Sequence, residues 1–153
     1  REFLQREFDR AWRYRKNFSL MAISWKFKPS ASSRSIDELA AFLKGNIRAS
    51  DLATQGDGMV LWVLLPETDI SGASTVSERL IAKARDRFCD EVSLHIGVTE
   101  FSRGAAVANR LVREVRIALE EAEEDDSDRI VIKIIPSPPG WPPSDPVVPR
   151  PGD

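Results

Sequence analysis

Residues 48–69, Arg-Ala-Ser-Asp-Leu-Ala-Thr-Gln-Gly-Asp-Gly-Met-Val-Leu-Trp-Val-Leu-Leu-Pro-Glu-Thr-Asp, decide how this chain folds. Residues 59–65 form an almost unbroken apolar run that stops at Pro66. Such a run predicts a strand covered on both faces, because a half-exposed strand alternates apolar and polar residues. Gly56-Asp57-Gly58 just before it has turn composition, and it lacks the Lys-Ser/Thr of a phosphate-binding loop. Thr68-Asp69 then opens a helix whose apolar stripe is Ile70, Ala73, Val76, Leu80, Ile81, Ala84 and Phe88.

Working outward, residues 3–16 space Phe3, Leu4, Phe8, Ala11 and Trp12 among charges, which predicts a helix with a solvated outer face. Residues 18–28 are apolar and aromatic up to Pro29 and read as a strand; residues 30–35 read as loop. Residues 36–48 place Leu39, Ala40, Phe42, Leu43 and Ile47 on one helical stripe. Residues 92–98 alternate, with Val92, Leu94, Ile96 and Val98 on one side and Ser93, His95, Gly97 and Thr99 on the other. Residues 105–123 return to helical spacing, and a short strand follows over 130–135. The order is helix and strand in alternation, four of each, which predicts an α/β sheet with helices on its faces.

Eight of the ten prolines lie after residue 135, the others being Pro29 and Pro66. The chain therefore divides into one domain over 1–135 and an extended or disordered tail over 136–153. Of the 153 residues, 42% are hydrophobic, enough for a real core, and the net charge is −2. That balance argues against a general electrostatic grip on DNA or on a membrane. No apolar run reaches the length of a membrane span, and the single cysteine, Cys89, forbids an internal disulfide and fits a reducing cytoplasm. From the abrupt charged start, Arg1-Glu2-Phe3, the expectation is a fragment of a larger protein. His95, the only histidine, has no nucleophile or acid near it in sequence and reads as structural, as do Trp25 and Trp62.

Four segments stand in order along the chain: Arg48-Ala-Ser-Asp51, Leu64-Leu65-Pro66-Glu67-Thr68-Asp69, Ser77-Glu78-Arg79-Leu80 and Ser93-Leu-His-Ile-Gly97-Val98. In that order they resemble a GGDEF domain, the diguanylate cyclase module, over roughly residues 1–133. The resemblance implies a ferredoxin-like nucleotide-cyclase palm, an α+β fold with a central, mostly antiparallel sheet flanked by helices.

A diguanylate cyclase joins two GTP molecules and needs carboxylates to hold Mg²⁺ at the phosphates. Judged against the family, those carboxylates are gone. The first metal-binding segment aligns with Ile23-Ser24-Trp25-Lys26-Phe27-Lys28, so Ile23 and Trp25 stand where two acids belong. The GGDEF motif aligns with Asp57-Gly58-Met59-Val60-Leu61, and its acidic pair becomes Met59 and Val60; a slip of register offers Asp57 but puts Gly58 at the second acid. A phosphate-binding Ala-Lys pair reads Ala122-Glu123, and the loop that carries a guanine-binding Asn is shortened. The resemblance therefore implies no enzyme, no catalytic residues, no metal site and no Mg²⁺.

What remains is the family's product-inhibition motif, R-x-x-D, five residues before the GGDEF position. Arg48 and Asp51 occupy it, and Arg79 falls where a second arginine is contributed by the next helix. A guanidinium matches guanine O6/N7 or a phosphate through paired hydrogen bonds, and a carboxylate accepts from guanine N1–H and its amino group. The expectation is a cytoplasmic cyclic di-GMP receptor binding through Arg48, Asp51 and Arg79. It would be fed by an upstream sensory domain, act on a downstream protein partner and be open to a ligand-linked homodimer. Two other readings stand beside it: an interaction or dimerisation module in which Arg48 and Asp51 are only a helix-end ion pair, and a domain that binds GTP at the old site without turnover.

Overall fold

Of the apolar run after Gly58, Leu61 to Leu65 are buried on both faces, while Met59 and Val60 belong to the hairpin turn and Met59 is exposed. In the computed structural model, which describes residues 6, 17–28, 36–56, 58–101 and 108–135, β3 (Leu61–Pro66) lies between β2 (Leu52–Gln55) and β1 (Phe18–Phe27). Then come β4 (Val92–Phe101) and β5 (Arg129–Lys133), giving the order β2-β3-β1-β4-β5. Every neighbouring pair is antiparallel except β4 and β5. Helices α1 (Ile36–Lys44), α2 (Ile70–Phe88) and α3 (Ala108–Glu123) pack on this sheet. The architecture is that of the nucleotide-cyclase palm.

Alternation along the strands builds two cores. Met21, Ile23 and Trp25 of β1, with Leu61, Val63 and Leu65 of β3 and Leu94, Ile96 and Val98 of β4, face α1 and α2. There they meet Leu39, Phe42 and Leu43 of α1 and Ala73, Leu80, Ala84 and Phe88 of α2. On the opposite face Phe18, Leu20, Ala22, Trp62 and Leu64 meet Leu111, Val115 and Leu119 of α3. Each large side chain so buried contributes about 1.5–3 kcal/mol relative to exposure. One backbone contact fixes the second layer: a Cβ on Gly97 would stand 2.4 Å from Leu119 N and 2.7 Å from Val115 O. Only glycine lets α3 lie this close to β4.

α2 starts where its cap predicts. The Asp69 carboxylate accepts from Gly72 N at 2.8 Å, satisfying one of the free amides of the first turn. It ends at Cys89, which turns to φ 56°.

Two sequence expectations need correction. The helix predicted over 36–48 stops at Lys44, because Asn46 folds back and its side-chain amide donates to Phe42 O at 2.8 Å. Ile47 still packs on the core, from a loop and not from the helix. The second correction is β2, a strand the periodicity did not predict. Its four residues, Leu-Ala-Thr-Gln, are too few to show a period and acquire strand geometry by pairing with β3. Of the predicted helix over 3–16, only Arg6 is described, helical and exposed. The loop over 30–35 and the tail over 136–153 lie outside the described residues, as does Asp57.

Candidate functional site

The short loop between α1 and β2 carries Arg48 and Asp51. They do not sit on one helical face, since α1 has already ended; they flank a tight turn closed by Asp51 N donating to Arg48 O at 3.0 Å. The Asp51 carboxylate points inward and its side chain is only 1% exposed. One oxygen, Oδ2, accepts from the backbone N–H of Arg48 at 2.9 Å, and the other, Oδ1, accepts from Arg48 Nη2 at 3.1 Å. Asp51 thus holds both the turn and the arginine.

Arg48 itself is half in water, with 55% of its side chain exposed. Its Nη2 also donates to Thr68 Oγ1 at 2.9 Å. Thr68 lies just before the cap of α2 and donates in turn to Pro66 O at 2.9 Å. The guanidinium is therefore fixed by two elements, the α1–β2 loop and the β3–α2 turn, before any ligand arrives. Fixing it in advance removes the rotamer entropy that an arginine otherwise loses on binding.

Arg79 comes from the third turn of α2 and is exposed, as its place off the apolar stripe predicts. Its Nη2 donates to Asn46 O at 3.1 Å. Arg48 thus belongs to the α1–β2 loop, and Arg79 reaches the same loop from α2 through the Asn46 carbonyl. Sequence reasoning missed Thr68 and the Asn46 carbonyl. Thr68 was legible only as a helix-start residue, and a backbone carbonyl leaves no signal in the side-chain pattern.

At the other end of β1, Ile23 and Trp25 belong to the core. Ile23 is fully buried, and Trp25 is buried with its ring 5.4 Å from Phe88 and nearly perpendicular to it. Phe27 and Phe42 extend this aromatic group. The indole N–H of Trp25 has no hydrogen-bond partner there. In the β2–β3 hairpin Gly56 N donates to Val60 O at 2.9 Å, Gly58 takes φ 70°, Met59 is exposed and Val60 packs on the α3-side core. Glu123 accepts from Ser24 Oγ at 2.6 Å, and Lys26 pairs with Asp126 at 2.8 Å. Among the described residues no three His, Cys, Asp or Glu side chains are grouped to hold a metal ion.

His95 is buried, and its Nε2 lies 2.8 Å from Asp125 O. A carbonyl can only accept, so Nε2 carries the proton and the imidazole ties the α3–β5 loop to the sheet. Ser93 Oγ reinforces it by donating to Asp126 O at 2.9 Å. No described helix is long and apolar enough to cross a membrane.

No family model and no curated protein matches this chain. Solved structures do. The chain is similar to the coiled coil and GGDEF domain of DgcB from Caulobacter crescentus in complex with c-di-GMP, at 13% identity and a TM-score of 0.74, covering 86% of this chain and 78% of that one. It is similar to the active GGEEF domain of a diguanylate cyclase from Vibrio cholerae, at 18% identity and a TM-score of 0.73, covering 86% and 92%. It also resembles the diguanylate cyclase SiaD from Pseudomonas aeruginosa, solved with its activator SiaC, at 23% identity and a TM-score of 0.73. There 86% of this chain spans 56% of that one, little more than half its length. At these identities the shared property is the fold: a GGDEF-type palm.

Proposed function

We propose that this domain is a non-catalytic receptor for cyclic di-GMP. The observation that carries the reading is the Arg48 guanidinium, locked by Asp51 and Thr68 yet half exposed, on a loop that Arg79 also reaches from α2. Two guanidinium groups on one loop suit a ligand with two phosphates and two guanine edges. Charge and hydrogen-bond geometry both favour an anionic purine dinucleotide over a neutral ligand. Asp51 acts here chiefly by positioning Arg48, since its own oxygens are engaged. Catalysis is unsupported because Ile23, Trp25, Met59 and Val60 offer no ligand to a hard cation. Signalling then proceeds by population shift, ligand favouring one arrangement of the loop or of its partners.

One observation favours the second reading, an interaction module without nucleotide. The Arg48–Asp51–Thr68 cluster is complete as it stands, and a complete cluster is what a purely structural loop lock requires. Titration calorimetry separates the two. The receptor reading expects micromolar or tighter binding of cyclic di-GMP by the wild type and at least about tenfold weaker binding by Arg79→Ala, which leaves the Asp51 lock intact. Arg48→Ala should abolish the heat. GTP with Mg²⁺ should give no heat and no cyclic product. Absence of cyclic di-GMP binding by the folded wild type overturns the receptor reading.

A further inference from the structure

α3 covers the sheet with Leu111, Val115, Ala118, Leu119 and Ala122, all buried. On the side turned away from the sheet lie Arg110, Arg113, Ile117, Glu120 and Glu124, all exposed, the last one residue past the helix end. Their spacing alternates three and four residues, the spacing of a seam between two packed helices. The order of charge along the ridge is basic, basic, apolar, acidic, acidic. Ile117 at its centre is 38% exposed and is one of the few large apolar side chains left in water among the described residues.

That charge order is unfavourable for the helix alone. The N-terminal end of a helix favours acids and the C-terminal end favours bases. α3 has no acid in its first turn and no base in its last. Neighbouring charges have partners: Arg116 lies over the Trp62 ring at 5.6 Å, Glu121 takes Lys133, and Glu123 takes Ser24. Among the described residues none of the Arg110, Arg113, Glu120 and Glu124 side chains has a hydrogen bond or an ion pair.

We infer that the ridge is a homodimer interface in which α3 of one copy packs antiparallel on α3 of a second. A two-fold axis through Ile117 sets Ile117 against its own copy. The same operation sets Arg113 against Glu120 and Arg110 against Glu124 of the other copy, twice each, because a two-fold contact repeats every pair. Antiparallel packing also opposes the two helix dipoles and so relieves the inverted charge order. The partner is a second copy because the pattern is complementary to itself reversed, which a single-sign ridge would not be. The interface needs no nucleotide and lies on the sheet face opposite to α1 and α2. One helix pair falls short of the roughly 1,000 Å² expected of a stable complex, so the association is weak and depends on concentration or on tethering by other parts of a longer protein.

Sedimentation velocity on the full chain without nucleotide, up to about 0.5 mM, reads this directly. The wild type should dimerise, and raising salt from about 0.05 M to about 0.5 M should weaken the dimer at least about tenfold. Arg110→Glu/Arg113→Glu and Glu120→Arg/Glu124→Arg should each sediment as monomers with unchanged circular dichroism. Their equimolar mixture should associate, since one ridge is then wholly acidic and the other wholly basic. A monomeric wild type at the highest concentration overturns the inference. So does self-association of either variant at wild-type strength, or a mixture that stays monomeric.

Discussion

Arg48 and Asp51 face each other across a turn, the Nη2 of the arginine 3.1 Å from a carboxylate oxygen that water cannot reach. The carboxylate also accepts the backbone N–H of Arg48, so the pair is both an ion pair and a turn cap. Removing the arginine leaves a buried carboxylate with fewer donors. Because Arg48 is half exposed and water can enter its place, the cost stays modest, about 1–2 kcal/mol. Removing the acid loses the turn cap and the anchor together, and Asp51→Ala should cost about 2–3 kcal/mol. Urea unfolding of both variants checks the order, with Asp51→Ala the less stable. The same asymmetry means that Asp51→Ala should weaken any ligand at Arg48 indirectly, through loss of its fixed rotamer.

Ile23 gives a sharper prediction. Ile23 is fully buried between β3 and β4, under α1 and α2. Ile23→Asp places a carboxylate among Leu, Val and Phe with no cation beside it. The expected outcome is loss of about 3–5 kcal/mol, enough to unfold a marginal domain, and not recovery of cyclase activity. Thermal unfolding with and without Mg²⁺ tests it. A variant that stays folded and gains stability from Mg²⁺ would mean that this end of β1 can hold a cation.

Gly97 is the tightest point between α3 and the sheet. A methyl group there would strike backbone atoms of Leu119, Val115 and Ala118, none of which can rotate aside. Gly97→Ala should therefore cost about 3 kcal/mol, whereas alanine at an ordinary strand position is tolerated. A loss much smaller than that, read by denaturant midpoint, would show that α3 can slide outward at little cost.

Much of this was legible before any coordinate. The run over 59–65 read as a doubly covered strand and is one from Leu61 on, Met59 and Val60 falling in the hairpin turn, and Asp69 could be read as a helix start because it precedes an apolar stripe. The alternation of Val92 to Val98 correctly separated the two faces of β4, leaving His95 and Gly97 on the α3 side. What stayed hidden depended on pairing and direction. β2 has no periodic signal in four residues and exists because β3 offers it an edge. Asp51 was readable as an acid near an arginine, but its inward direction follows from the early end of α1, set by the Asn46 side chain. The position of Thr68 beside Arg48 joins residues twenty apart, and no local pattern encodes that.

The loop between α3 and β5 supplies a pH test. Asp125 is held below the usual carboxylate range, first by the backbone N–H of Ser127 and then by its hydroxyl, both donating to Oδ1 at 3.0 and 2.8 Å. Arg129 and His95 add smaller favourable charge. A carboxyl whose folded value is lowered binds its proton less readily than in the unfolded chain. Its contribution is therefore fully present above the ordinary aspartate range and is lost as pH falls through the folded value. Ser127→Ala removes the hydroxyl donor but keeps the backbone one, so the variant should melt below the wild type at neutral pH. The gap should narrow as pH drops below about 4 and close once Asp125 is protonated in both states. Melting temperatures of the two proteins from pH 7 downward check this. A gap that stays constant across the range would mean that the serine acts through packing and not through the carboxylate.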